Sequence, residues 1–170
     1  MKTCLATSFH FDHAAAQGYR FGEAPTMQTF VPVGLLSLKA MADRETRWQT
    51  RVVELNAMVN AGLFAVDDSF FERIAEQVDQ GEDLVGFMTD ADSLPHTVLM
   101  AKQLRARNSQ VRICLGGPAS SPMGEALMTA FPWVDFVIAG EGEVTFVELL
   151  KALEQDRQPH DIAGLYWRDN

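Results

Sequence analysis

A doubly wound α/β domain is predicted for this chain by three observations. Five short strand-like apolar runs recur along it, helical patterns fall between them, and two of the runs end in glycine loops. Strands alternating with helices imply right-handed crossovers, and so a parallel sheet covered on both faces. The strand-like runs are Thr3–Phe9, Arg51–Leu55, Leu84–Met88, Val111–Leu115 and Val134–Ala139. Leu84-Val-Gly-Phe-Met88 is apolar throughout, which suits a strand buried on both sides. Five such strands fit a five-stranded, flavodoxin-like (Rossmann-like) order, 2-1-3-4-5.

The intervening segments read as helices. Pro32 opens the first, with Leu35, Leu36, Leu38 and Met41 as its apolar positions. Ser69 and Glu72 have the spacing of a capping box, and Phe70, Phe71, Ile74 and Val78 follow at helical spacing. Leu94, Val98, Ala101 and Leu104 form a third stripe. Ser121-Pro122 starts a fourth before Ala126, Leu127 and Phe131, and Phe146, Leu149, Leu150 and Leu153 mark the last. Two connections, His10 to Phe30 and Asn56 to Asp68, are longer than usual. Both should emerge at the carboxyl ends of the strands, the rim where ligands of open α/β sheets bind.

Both glycine loops belong to that rim. Val111-Arg-Ile-Cys-Leu115 breaks at Gly116-Gly117-Pro118, and Val134-Asp-Phe-Val-Ile-Ala139 breaks at Gly140-Glu141-Gly142-Glu143. Glycine there lets a backbone approach something closely, or turn where a Cβ would clash. Simple turn chemistry accounts for the same glycines without a ligand, and Glu143 suits the first turn of the last helix through the helix dipole.

Composition narrows the ligand. The chain has 170 residues, 47% hydrophobic and 22% charged, which fits one soluble domain with a single sizeable core. No run approaches the roughly 20 apolar residues of a membrane span, and Met1-Lys2-Thr3-Cys4-Leu5 reads as a first strand rather than a signal peptide. A net charge of −9 with scattered basic residues argues against nucleic acid and anionic membranes. Cys4 and Cys114 are expected as buried free thiols in a reducing cytoplasm. A dinucleotide site would need Gly-x-Gly-x-x-Gly after the first strand, where Ser8-Phe-His-Phe-Asp12 stands instead. The Gly-Lys-Ser/Thr of a P-loop is missing, and the carboxylates of Gly140-Glu-Gly142 would repel a phosphate beside them. A phosphoacceptor domain would want a lysine after the fifth strand, and a flavodoxin a glycine-rich loop after the first; neither is present.

The order of the segments resembles the cobalamin-binding domain at the N-terminus of cobalamin-dependent radical S-adenosylmethionine enzymes. The resemblance is carried by Pro32-Val-Gly-Leu-Leu-Ser-Leu-Lys-Ala40, Val52-Val-Glu-Leu-Asn56, Asp83-Leu-Val-Gly-Phe87 and Cys114-Leu-Gly-Gly-Pro118. Its strongest piece is Val134 to Leu150, and together the segments span about Leu5 to Leu153. The resemblance implies a cobalamin-binding fold over residues 1–155, with residues 156–170 linking to a covalently attached radical module. It further implies a corrin ring on the rim and a nucleotide tail entering the domain. The residues it marks for the cofactor are Ser8, His10, His13, Thr89, Asp90, Gly116, Gly117, Pro118, Gly140, Glu141 and Gly142.

The chain departs from the wider cobalamin-binding pattern at two places. The classical Asp-x-His-x-x-Gly is absent: Asp12 and His13 are adjacent, and the next glycine is Gly18. His10 and His13 are the candidates for a cobalt ligand, with solvated loop histidines as the alternative. The Ser-x-Leu element falls on Met88-Thr89-Asp90, leaving Thr89 to offer a hydroxyl. Branches without the lower histidine tolerate both losses. In such enzymes a Cys-x-x-x-Cys-x-x-Cys motif binds a 4Fe–4S cluster that cleaves S-adenosylmethionine. This chain, with two cysteines, has no such motif, so no catalytic residue is expected in it. The expected function is cobalamin binding for methyl transfer or related radical chemistry performed by another module. The alternative is a stand-alone sensor or interaction domain that keeps the fold without the cofactor.

Overall fold

The computed structural model describes residues 1–9, 29–64 and 67–169. Its sheet is built from β1 (Lys2–Ala6), β2 (Gln49–Val53), β3 (Leu84–Met88), β4 (Arg112–Gly116), β5 (Phe136–Ile138) and β6 (Leu165–Trp167). The order is β2-β1-β3-β4-β5-β6, with β1 to β5 parallel. The doubly wound order 2-1-3-4-5 is therefore present, but the strand count is six rather than five. The sixth strand pairs antiparallel to β5, Val137 opposite Tyr166, within the stretch expected as a link. Its pattern, half-buried and only three residues long, is too short for periodicity to reveal.

The helices are α1 (Val33–Glu45), α2 (Leu55–Asn60), α3 (Phe70–Val78), α4 (Leu94–Arg107), α5 (Gly124–Ala130) and α6 (Gly142–Glu154), with a 3₁₀ turn at Ser121–Met123 before α5. Short α2 falls inside the connection expected to be a loop. It forms because Glu54 accepts a hydrogen bond from the Ala57 N–H, capping the helix start. The expected capping box at Ser69 is not made. The Ser69 hydroxyl donates to Asp67 Oδ1 at 2.9 Å and accepts from the Arg73 guanidinium instead.

Neighbouring residues of one strand enter opposite cores, as the period of two requires. Cys4, Ala6, Val85, Ile113 and Leu115 face one apolar cluster with Ile74, Met100, Leu104 and Leu127 from α3, α4 and α5. Leu5, Leu84, Cys114, Phe136 and Ile138 face the other, with Leu35 and Ala42 from α1 and Phe146, Leu149 and Leu150 from α6. Among the described residues, then, α2 to α5 cover one face and α1 and α6 cover the other.

At the amino-terminal end of the strands α1 and α6 are tied together. Lys151 pairs with Glu45 at 3.1 Å, the Arg47 N–H donates to Glu154 at 2.7 Å, and the Trp48 indole N–H donates to Leu150 O at 3.1 Å. Both buried cysteines are free thiols, as expected. Trp133 and His160 sit against neighbours: the Trp133 indole N–H donates to Val98 O, and His160 meets the Trp167 ring edge-on. Among the described residues no helix is long and apolar enough to cross a membrane.

Candidate functional site, a cleft at the carboxyl ends of the strands

Between α1 and α6, toward the carboxyl ends of the strands, a cleft of about 440 Å³ opens. That volume falls in the usual range for small-molecule sites, about 300–1,000 Å³. Its buried floor and walls are apolar: Leu5, Leu35, Cys114, Ile138 and Phe146. Gly86 in β3 and Gly116 at the end of β4 leave the sheet side without bulk. At the mouth stand Gly117, Pro118, Ser121, Gly140, Glu141 and Glu143.

The two glycine loops meet here and are physically joined. The Gly140 N–H donates to the Ser121 hydroxyl at 2.6 Å, so the loop after β4 holds the loop after β5. Across the mouth, the Ser37 hydroxyl of α1 donates to Glu143 Oε1 of α6 at 3.1 Å. A Cβ at Gly142 would stand 3.5 Å from Leu38 and 3.7 Å from Ile138, and one at Gly116 would point toward Ile138 at 4.0 Å. Side chains at these two positions would fill the cleft.

Gly117 differs. Its φ is +108°, and a Cβ would fall 2.5 Å from Thr89 O. Glycine is required here for backbone approach, with or without a ligand. Thr89 itself is fully buried and fully used: its hydroxyl donates to Gly116 O at 3.0 Å and accepts from the Ser120 N–H at 3.2 Å. The Asp90 carboxylate accepts from the Asp92 and Ser93 N–H groups, shaping the turn before α4. Thr89 and Asp90 therefore brace the rim and do not line the cleft, as six of the sequence-predicted residues do: Gly116, Gly117, Pro118, Gly140, Glu141 and Gly142. Ser8 is fully buried just past β1, its hydroxyl without a hydrogen-bond partner among the described residues. His10 and His13 lie outside the described residues.

Sequence reasoning missed the α1 wall, with Gly34, Leu35 and Leu38, and also Gly86, Ser121 and Phe146 as lining residues. Gly86 had a legible signal, since a lone glycine inside a strand often marks close approach. The others look like ordinary helix or turn residues. Burial pushes the Cys114 thiol up to about 12, with the Asp135 charge adding to the rise, so the floor carries a neutral S–H. Among the described residues no group of three or more His, Cys, Asp or Glu gathers to hold a metal ion.

A crevice outside the carboxyl ends of a doubly wound sheet, apolar within and glycine-lined, defines a cofactor-binding α/β domain. The B12-binding domain family matches residues 24–150, and the chain belongs to that family. Among its relatives, the chain is 30% identical over 140 residues to the uncharacterized methyltransferase PH0819 of Pyrococcus horikoshii. That alignment covers 82% of this chain and 28% of the relative. It is 28% identical over 85 residues to an anaerobic magnesium-protoporphyrin IX monomethyl ester cyclase of Synechocystis, covering 50% of this chain and 17% of the cyclase. The chain thus spans well under a third of the length of either relative.

Its fold matches the radical S-adenosylmethionine methyltransferase TsrM from Kitasatospora setae. With tryptophan substrate and a SAM analog bound, the TM-score is 0.71 at 17% identity, covering 99% of this chain and 28% of that one. With cobalamin and a 4Fe–4S cluster bound it is 0.70 at 18% identity, covering 99% and 27%.

Proposed function

We propose that this chain holds cobalamin for a larger radical S-adenosylmethionine enzyme of the methyltransferase type. The carrying observation is the apolar, glycine-lined cleft between α1 and α6 in a chain of the B12-binding family. At about 440 Å³ the cleft would take only a narrow part of the cofactor, which would leave the corrin ring outside it. Leu5, Leu35, Ile138 and Phe146 offer the entering part an apolar lining. Gly116 and Gly142 leave its space open, while Pro118, Gly140 and Glu141 edge the mouth. Gly117, Thr89 and Asp90 keep the rim in shape, and Ser8, whose buried hydroxyl has no partner among the described residues, stands just past β1 at the same end of the sheet. His10 and His13 are the candidates for a cobalt ligand.

Bound cobalamin supplies a cobalt centre for methyl transfer or related radical chemistry; the chain's residues bind and orient it. The 4Fe–4S cluster and S-adenosylmethionine belong to a linked module. In this reading residues 1–155 hold the cofactor and residues 156–170 lead toward that module, and two buried free thiols suit a reducing cytoplasm.

Titration with hydroxocobalamin, followed by its visible spectrum, tests the reading. Saturable binding is expected, and Gly142→Leu should weaken it by about tenfold or more while the far-ultraviolet spectrum stays unchanged. Absence of binding to the folded wild-type chain would overturn it. The enzyme assignment further requires a Cys-x-x-x-Cys-x-x-Cys segment encoded in the same polypeptide.

A further inference from the structure

Among the described residues, the polar side chains of the cleft are confined to its mouth. Glu141 is exposed there, the Ser121 oxygen already accepts from Gly140, and Glu143 already accepts from Ser37. Deeper in, the side chains are Leu5, Leu35, Leu38, Ile138 and Phe146, with one thiol, Cys114, whose S–H is directed at Leu115 O at 3.8 Å. The floor backbone offers nothing more, because Gly86 and Cys114 stand opposite each other in the β3–β4 ladder, where the strand N–H and C=O groups are paired. A polar atom carried to the bottom of this cleft would lose water without gaining a partner among the described residues.

We propose that the cleft selects corrinoids by the base at the end of their nucleotide tail, accepting an apolar bicyclic base such as dimethylbenzimidazole and rejecting a purine such as adenine. This rests on the reading that the tail is the part of cobalamin entering the cleft. The two bases are close in size and shape, so the walls cannot separate them sterically. They differ in polarity: adenine adds further ring nitrogens and an exocyclic amine, while dimethylbenzimidazole adds methyl groups that Leu35, Ile138 and Phe146 can cover. Each polar group stranded in such a site weakens binding by about tenfold. A site built around apolar contacts discriminates here through what it cannot satisfy.

The test compares three ligands on the same chain by equilibrium titration: cobalamin, its analogue with adenine as the lower base, and cobinamide, which lacks the nucleotide. Cobalamin is expected to bind at least about tenfold more tightly than either of the others. Leu38→Gln, which sets an amide on the half-buried α1 wall, should narrow the gap between cobalamin and the adenine analogue. Equal binding of those two to the wild-type chain overturns the selection and leaves cobalamin binding intact. Equal binding of cobinamide and cobalamin removes the tail from the cleft and overturns it as well. If none of the three binds, the functional reading fails together with it.

Discussion

Gly117 and Gly142 border the same cleft, and a side chain would do different damage at each. At Gly117 it would meet the Thr89 backbone from a left-handed φ, so a substitution there reports on folding. At Gly142 it would meet only the side chains of Leu38 and Ile138, so a substitution reports on the space between them. The glycine loops were legible in the sequence as a rim. Which glycine borders open space was not, because that depends on what stands across the cleft. The same limit applies to Thr89, whose hydroxyl is spent between Gly116 and Ser120. Burial is the main cause that pushes Cys4 and Cys114 up to about 12, from an ordinary 9.0. Between those two pH values the unfolded chain loses these protons while the folded chain keeps them, so stability falls as pH rises. At pH 10 each thiol should cost roughly 1 kcal/mol. Urea midpoints at pH 8 and pH 10 check this: the Cys4→Ala/Cys114→Ala double variant should show a shallower alkaline loss. An identical slope would remove the cysteines as its cause.

Helices α1 and α6 both begin at the ligand rim and end at the opposite edge of the sheet. Their ends are tied by Lys151–Glu45 and the Arg47–Glu154 bond, and their first turns by Ser37–Glu143. Val33 and Val144, 70% and 63% exposed on those first turns, stand beside the mouth as apolar surface. The periodic residues of α3, α4 and α6 were read correctly because each buries a regular stripe. Ser69 misled because its hydroxyl found a local carboxylate and guanidinium in place of the backbone. A Cβ on Gly124 in α5 would overlap the Tyr166 ring, so this glycine lets the strand lie close to the helix. Gly124→Ala should loosen β6 locally by about 1–3 kcal/mol, read as faster amide exchange at Leu165–Trp167. Exchange in β1 and β3 should not change. Unaltered protection of β6 would show that Tyr166 can swing aside freely.

For the molecule as a whole, the consequential asymmetry among the described residues is four helices on one face of the sheet and two on the other. Covered by α1 and α6, the described part of the second face closes at the amino-terminal end and opens at the carboxyl end, over Gly86 and Gly116. β6 completes this architecture by covering the edge of β5, against which Leu165 and Trp167 pack, while Arg168 donates to Met128 O. Removing residues 165–170 should destabilise the fold by roughly 2 kcal/mol and promote association through the bared edge. No residue of β6 lines the cleft, so the folded fraction should keep its cobalamin affinity. Thermal unfolding with light scattering, followed by titration, checks both halves of this. A truncated chain as stable and monodisperse as the parent would show that β5 needs no cover. The alternation of strands and helices, the doubly wound class and the glycine rim are all legible in the linear chain. Those follow from side-chain periodicity and turn chemistry, which act within a few residues of each position. Packing in three dimensions sets the rest: a sixth strand turns antiparallel, α1 supplies a cleft wall, and Gly116 and Gly142, unlike Gly117, keep space open. Each of these is a contact between segments far apart in the chain, and no local pattern records the distance between them.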